Sequence, residues 1–214
     1  SQPLYYYLAV SDNGSSWRSS DGITWTAFTA PTTGQLNGVV YGLSKFITIG
    51  AGGFIAYTAD LSSTGTWTQA SSNTTSSLNA LASNGAIVIA VGDNGTILRS
   101  DNGASWSQAS STTSQHLYGI SYSGSGVWSA VGAQGTLLTS SDSGVTWKAA
   151  TANTSNALRA TAAQTSSVTS NGSTTIGYTI VAVGDKGTVL RSTDAGSTWV
   201  AQASGTTANL LAVS

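Results

Sequence analysis

VGDKGTVLRSTDAGSTW, residues 183–199, decides the fold because it recurs. Residues 91–106 read VGDNGTILRSDNGASW, 131–147 read VGAQGTLLTSSDSGVTW, and 10–25 read VSDNGSSWRSSDGITW. A looser copy, IGAGGFIAYTADLSSTGTW, spans 49–67. One unit written five times is architecture before it is a site. The anchor tryptophans Trp25, Trp67, Trp106, Trp147 and Trp199 stand 42, 39, 41 and 52 residues apart. The residues after Trp199 and those up to Trp25 together make one further period, so the repeat closes across the termini. That is how a ring behaves.

Each unit reads as four short strands. In residues 78–108, LNALAS is a first strand and AIVIAVG a β-branched second. Asn94-Gly95 suits a hairpin turn with positive φ, TILRS is a third strand, and SWSQAS a fourth. Four strands in about 40 residues is the propeller-blade pattern. No stretch carries sustained helical periodicity. The reading is an all-β, five-bladed β-propeller of four-stranded antiparallel blades in a single domain, 1–214. Its blades are 4–31 plus 209–214, 35–71, 77–110, 116–150 and 157–204. NLLAVS (209–214) matches the first strands, so it is expected to complete the N-terminal blade and close the ring. Small residues recur in those strands at Gly38, Ala80, Gly119, Ala160 and Ala212. They suit the crowded axis where five blades converge. Residues 164–175, QTSSVTSNGSTT, read as a lengthened polar loop.

Composition excludes several functions. The chain has 214 residues, 40% hydrophobic and only 7% charged, with net charge −1. A nucleic-acid binder needs a basic footprint, and none is present. No long apolar run or basic amphipathic helix points to a membrane. There is no cysteine, hence neither disulfides nor thiolate chemistry. Ser and Thr fill about a third of the chain. This weakly charged, hydroxyl-rich surface fits the expectation of a secreted, periplasmic or cell-surface protein, with no signal peptide visible in the sequence.

The segments ending at each Trp fit the pattern Ser/Thr-x-Asp-x-Gly-x-Thr-Trp. SSDSGVTW and STDAGSTW fit in full, SSDGITW and SDNGASW are one residue shorter, and TADLSSTGTW is degenerate. The chain resembles the bacterial neuraminidase (Asp-box) repeat superfamily. The larger unit, GDKGTVLRSTDAGSTWVAQASGTTANLLAVS, is similar to repeats of the photosystem II assembly and stability-factor type. The resemblance implies a propeller; its second part implies an assembly scaffold. In physical terms the box is structural. Its Asp accepts backbone N–H bonds within the turn, its Gly takes a conformation other residues resist, and its Trp packs between sheets.

Chemistry is hard to find. All eight acids are aspartates. Asp21, Asp60, Asp101, Asp142 and Asp194 lie in the box turns; Asp12, Asp93 and Asp185 lie in the hairpin before the third strand. None is left as a unique general acid or base. Neuraminidases use an arginine cluster, a glutamate and a tyrosine. Here Arg18, Arg99 and Arg191 share one repeat position and should point outward separately. One histidine supports neither a zinc cluster nor a triad. No catalytic residue, metal or cofactor is expected.

A ligand would sit on the face shared by the second-to-third hairpins and the blade connections. Around the inner Leu of each first strand stand Gln35, Asn37, Asn79, His116, Tyr118, Arg159 and Asn209; Asp185 and Lys186 tip the last hairpin. His116, Tyr118 and Arg159 are the distinctive members, on adjacent blades near the axis. The first expectation is a monomeric, non-enzymatic binding module of lectin type, recognising carbohydrate through these residues. The alternative is a protein-interaction or assembly scaffold. The expected partner is accordingly a glycan or an envelope protein.

Overall fold

Five antiparallel sheets follow one another along the chain in the computed structural model, which describes residues 6–62, 64–170 and 173–214. The first sheet holds β1 (Tyr7–Val10), β2 (Ser16–Ser19) and β3 (Thr26–Phe28). The second holds β4 (Leu36–Gly42), β5 (Lys45–Gly50), β6 (Ile55–Thr58) and β7 (Thr68–Ala70). The third holds β8 (Leu78–Ser83), β9 (Val88–Gly92), β10 (Ile97–Ser100) and β11 (Ser107–Gln108). The fourth holds β12 (Leu117–Tyr122), β13 (Trp128–Gly132), β14 (Leu137–Ser140) and β15 (Lys148–Ala149). The fifth holds β16 (Leu158–Ser170), β17 (Ser173–Gly184), β18 (Val189–Ser192) and β19 (Val200–Gln202). Consecutive strands pair, so each sheet is a meander, and the fold is a five-bladed β-propeller.

The core lies between sheets. Ile47, Ile49 and Ile55 of the second sheet pack on Leu78, Val88, Ala90, Leu98 and Trp106 of the third. Ile89, Val91 and Ile97 then meet Leu117, Trp128, Ala130, Leu138 and Trp147 of the fourth. Val131 and Leu137 meet Leu158, Ile180, Ala182, Leu190 and Trp199 of the fifth. Alternate residues of one strand therefore serve opposite neighbours. A middle strand is buried on both faces, which is why AIVIAVG reads as a continuous apolar run rather than an alternation.

The turns carry the local code. Asn94 (φ 56) and Gly95 (φ 68) form the predicted two-residue turn, closed by Thr96 N–H donating to Asp93 O at 3.0 Å. At the other end of the fourth sheet, Asp142 Oδ1 accepts the Thr146 N–H at 2.9 Å and the Ser140 hydroxyl at 2.8 Å. Asp194 repeats this with Thr198 and Ser192. Trp147 and Trp199 donate their indole N–H to Gly144 O and Gly196 O.

Two expectations need correction. In the third sheet the capping position belongs to Asn102, not Asp101: Asn102 Oδ1 accepts the N–H groups of Ala104 (2.9 Å) and Ser105 (2.8 Å). The cap is the second residue after the box serine, as in Ser19/Asp21 and Ser140/Asp142; after Ser100 that residue is Asn102, and its amide oxygen serves the turn. Residues 164–170 and 173–175 are strand, not loop. β16 and β17 extend in register from Gln164↔Thr179 to Ser170↔Ser173, as a Thr-containing stretch permits; residues 171 and 172 lie outside the described residues.

In 209–214, Leu210 N–H donates to Gly184 O at 3.0 Å, as Leu36 N–H donates to Ser11 O at 3.1 Å, so the segment sets out on the inner-strand path beside the first blade. Among the described residues the first sheet comprises β1, β2 and β3. Tyr7 is 58% and Leu211 71% exposed, whereas Val88, Trp128 and Ile180, which share Tyr7's repeat position, are fully buried. Tyr5 and the start of the first blade at residue 4 lie outside the described residues.

Candidate functional site

Every paired inner strand carries a bulge at the same place. Its register shifts between Leu36 and Gly38, Leu78 and Ala80, Leu117 and Gly119, and Leu158 and Ala160. The residues in the gap are Asn37, Asn79, Tyr118 and Arg159. A bulge re-aims the side chain it carries, here at the axial rim. Crowding fixes the next residue: a Cβ on Gly119 would stand 3.0 Å from Ala160 Cα of the adjacent blade.

In the second and third blades this position is a latch. Asn37 Nδ2 donates to Leu78 O at 2.8 Å, and Asn79 Nδ2 to Leu117 O at 2.9 Å. Both carbonyls belong to the following blade. Asn79 Nδ2 also reaches Asp93 Oδ1 at 3.0 Å. These two amides hold blades together, so they have little left for a ligand.

The fourth and fifth blades break the pattern. Tyr118 and Arg159 replace the amides, and Arg159 Cζ lies 5.0 Å from the Tyr118 ring centroid. The guanidinium is fixed from behind: Nε and Nη2 donate to Asp185 Oδ1 and Oδ2, both at 2.8 Å. On the other side, the His116 ring is nearly parallel to Tyr118, with an interplanar angle of 13° and centroids 6.5 Å apart. His116 Nδ1 lies 2.9 Å from Asp93 Oδ1. The result is one row across three blades: Asp93, His116, Tyr118, Arg159, Asp185. The His116 side chain is 48% exposed and that of Arg159 35%. Hydrogen bonding to Asp185 raises the Arg159 pKa, and the same bonds hold Asp185 below the ordinary carboxylate range.

The remaining predicted residues lie elsewhere. Asn209 Oδ1 accepts the Lys186 N–H at 3.0 Å, tying the last hairpin to the C-terminal segment. Lys186 is exposed at the hairpin tip with φ 55. Gln35 lines a separate groove over the second blade. Sequence reasoning missed Asp93, which anchors the row through His116 and Asn79. Its identity with Asp12 and Asp185 hid it, because repeat residues read as scaffold. Arg18, Arg99 and Arg191 do not converge: Arg99 Nε donates to Ser143 O of the next blade's turn, and Arg18 lies over Phe28. Among the described residues, no group of acids and histidine could hold a metal ion. Among the same residues, no helix is long and apolar enough to cross a membrane.

Solved structures share this fold. YCF48 bound to D1 peptide is 16% identical, with a TM-score of 0.58 over 92% of this chain and 77% of its own. Sqt1 of Chaetomium thermophilum is 13% identical, with a TM-score of 0.67 over 88% of this chain. PorZ, a surface component of the type-IX secretion system of Porphyromonas gingivalis, is 14% identical, with a TM-score of 0.59 over 91% of this chain. The chain spans about half the length of Sqt1 (53%) and about a quarter of PorZ (26%). At these identities the likeness concerns the fold. No protein-family model and no curated protein matches the chain.

Proposed function

We propose that this chain is an exported, non-enzymatic protein-interaction module whose axial rim holds an extended peptide segment. The observation that carries the reading is the row Asp93–His116–Tyr118–Arg159–Asp185, in which the His116 ring and the Arg159 guanidinium are each held in place by an acid. A ligand meeting preoriented donors costs less ordering entropy than one meeting free side chains. With Nε and one Nη2 hydrogen committed to Asp185, the Nη1 donors of Arg159 remain for peptide carbonyls. The Tyr118 hydroxyl and the free nitrogen of His116 add a donor or acceptor each. YCF48, of like fold, has been solved with a peptide bound, which fits this class of partner. The carbohydrate reading loses ground at the rim because Asn37 and Asn79, two of its hydrogen-bonding residues, are blade latches.

The test is selection of phage-displayed random dodecapeptides on the protein, followed by fluorescence anisotropy of synthetic winners. Peptides that bind the parent and lose roughly tenfold in affinity to Tyr118→Ala and to Arg159→Ala support the reading. Failure to select any peptide, or winners indifferent to both substitutions, would overturn it.

A further inference from the structure

The second blade departs from the repeat in two adjoining places. Its hairpin is Ala51-Gly52, where other blades carry Asp12-Asn13, Asp93-Asn94, Ala133-Gln134 and Asp185-Lys186. Phe54 stands where they carry Ser15, Thr96, Thr136 and Thr188. In the third blade Asn94 Nδ2 donates to Ser76 Oγ, filling the notch between hairpin and blade connection. Gly52 has no side chain to do this, and a Cβ built on it meets nothing within 4 Å.

Beside it lies a groove of about 770 Å³, between the connection that precedes the second blade (Thr32 to Gln35) and the one that follows it (Ser71 to Thr75); the fifth blade has one of about 650 Å³ at the corresponding place, without an aromatic residue in its lining. No charged side chain lines the groove over the second blade. Phe54 is half-buried at its floor. Gln35 and Gln69 are exposed on its walls. Asn73 Oδ1 accepts from Ser71, which leaves its Nδ2 hydrogens.

We infer that this groove is a second subsite for the same bound peptide and takes an uncharged stretch with one apolar side chain seated on Phe54. The inference rests on the peptide reading of the axial rim. A primary amide offers a donor and an acceptor side by side, the complement of a peptide unit. An apolar side chain gains by covering Phe54, and any charged one would lose water to a lining that cannot neutralise it. A saccharide fits less well. Its many hydroxyl donors are best met by carboxylates, whose hydrogen bonds are roughly twice as strong, and the groove has none.

Two substitutions restore what other blades already carry, so folding is secured by precedent. Phe54→Thr removes the floor. Gly52→Asn fills the notch; its φ of 64° is close to the 56° of Asn94. Both are measured by anisotropy with the dodecapeptides selected on the parent, beside Tyr118→Ala, with melting curves as the folding control. The expected result is winners rich in Leu, Val or Phe within an uncharged stretch, bound roughly tenfold more weakly by Phe54→Thr and by Gly52→Asn. Peptides weakened by Tyr118→Ala but indifferent to both groove variants would overturn the groove and leave the rim reading standing. A parent that selects no peptide would overturn both. Neutral oligosaccharides that bind the parent and not Phe54→Thr would overturn the choice of occupant.

Discussion

Arg159 and Asp185 are joined at two points, Nε to Oδ1 and Nη2 to Oδ2, each at 2.8 Å. This fork holds the guanidinium over Tyr118, with Cζ 5.0 Å from the ring centroid. A lysine keeps the charge but supplies neither the fork nor the planar stacking surface. Arg159→Lys is therefore expected to lose roughly three- to tenfold in peptide affinity by anisotropy, with the melting temperature within about 2 °C of the parent, since a pair this exposed adds little stability. Unchanged affinity would mean that charge alone matters at the rim.

Asn79 bridges two blades and also holds Asp93. Asn79→Ala removes both bonds and leaves the Leu117 carbonyl without that donor. The expected cost is about 1–2 kcal/mol by urea unfolding. Asn37→Ala removes one bond and should cost less. Equal costs would show that the Asp93 contact contributes nothing.

The box aspartates confer acid sensitivity. Hydrogen bonds to the Thr146 side chain and backbone lower Asp142 to about 2; Asp194 stands at about 2 through Thr198, and Asp21 at about 2 through the Thr24 and Ile23 N–H groups. A folded-state pKa below the unfolded one stabilises the fold fully above the unfolded value, near pH 4, and progressively less as pH falls towards 2. The triple variant Asp21→Asn, Asp142→Asn, Asp194→Asn has no such protons to take up. Asn102 already shows that an amide serves the turn. Thermal melts from pH 5 to 2 should fall steeply for the parent and less for the triple variant. Parallel curves would place the acid sensitivity elsewhere.

The box tryptophans should not be energetically equal. Trp199 is 6% exposed between the fourth and fifth blades, whereas Trp25 is 43% exposed on the first. Trp199→Ala is expected to cost about 3–5 kcal/mol, and Trp25→Ala about 1 kcal/mol. Hydrogen exchange gives the companion measurement: amides of Tyr7–Val10 should exchange sooner than those of Val88–Gly92. Equal costs and equal protection would show the first blade covered in solution, with 209–214 closing the ring.

Much of the site was legible because repeats make exceptions visible. His116, Tyr118 and Arg159 depart from the amides and small polar residues at their positions, and the blade order puts them side by side. Asp93 and Asn102 were not legible. Asp93 looks like any hairpin aspartate until His116 is placed against it, and Asn102 takes the turn from Asp101 by a shift of one residue. Phe54 was hidden differently: a phenylalanine in a short apolar stretch reads as core, and only the small hairpin residues Ala51 and Gly52 leave it uncovered.

By itself the sequence determined the blade count, the four-strand unit, the turn chemistry and which face carries the variable residues. These follow from local rules, namely strand alternation, positive φ at Asn-Gly, and side-chain caps within a few residues. The tertiary structure alone decided the bulge that turns Asn37, Asn79, Tyr118 and Arg159 to the rim, the latches between blades, and the groove over the second blade. Each of those depends on what a neighbouring blade places opposite a residue. That is a long-range matter of packing, which no spacing along the chain records.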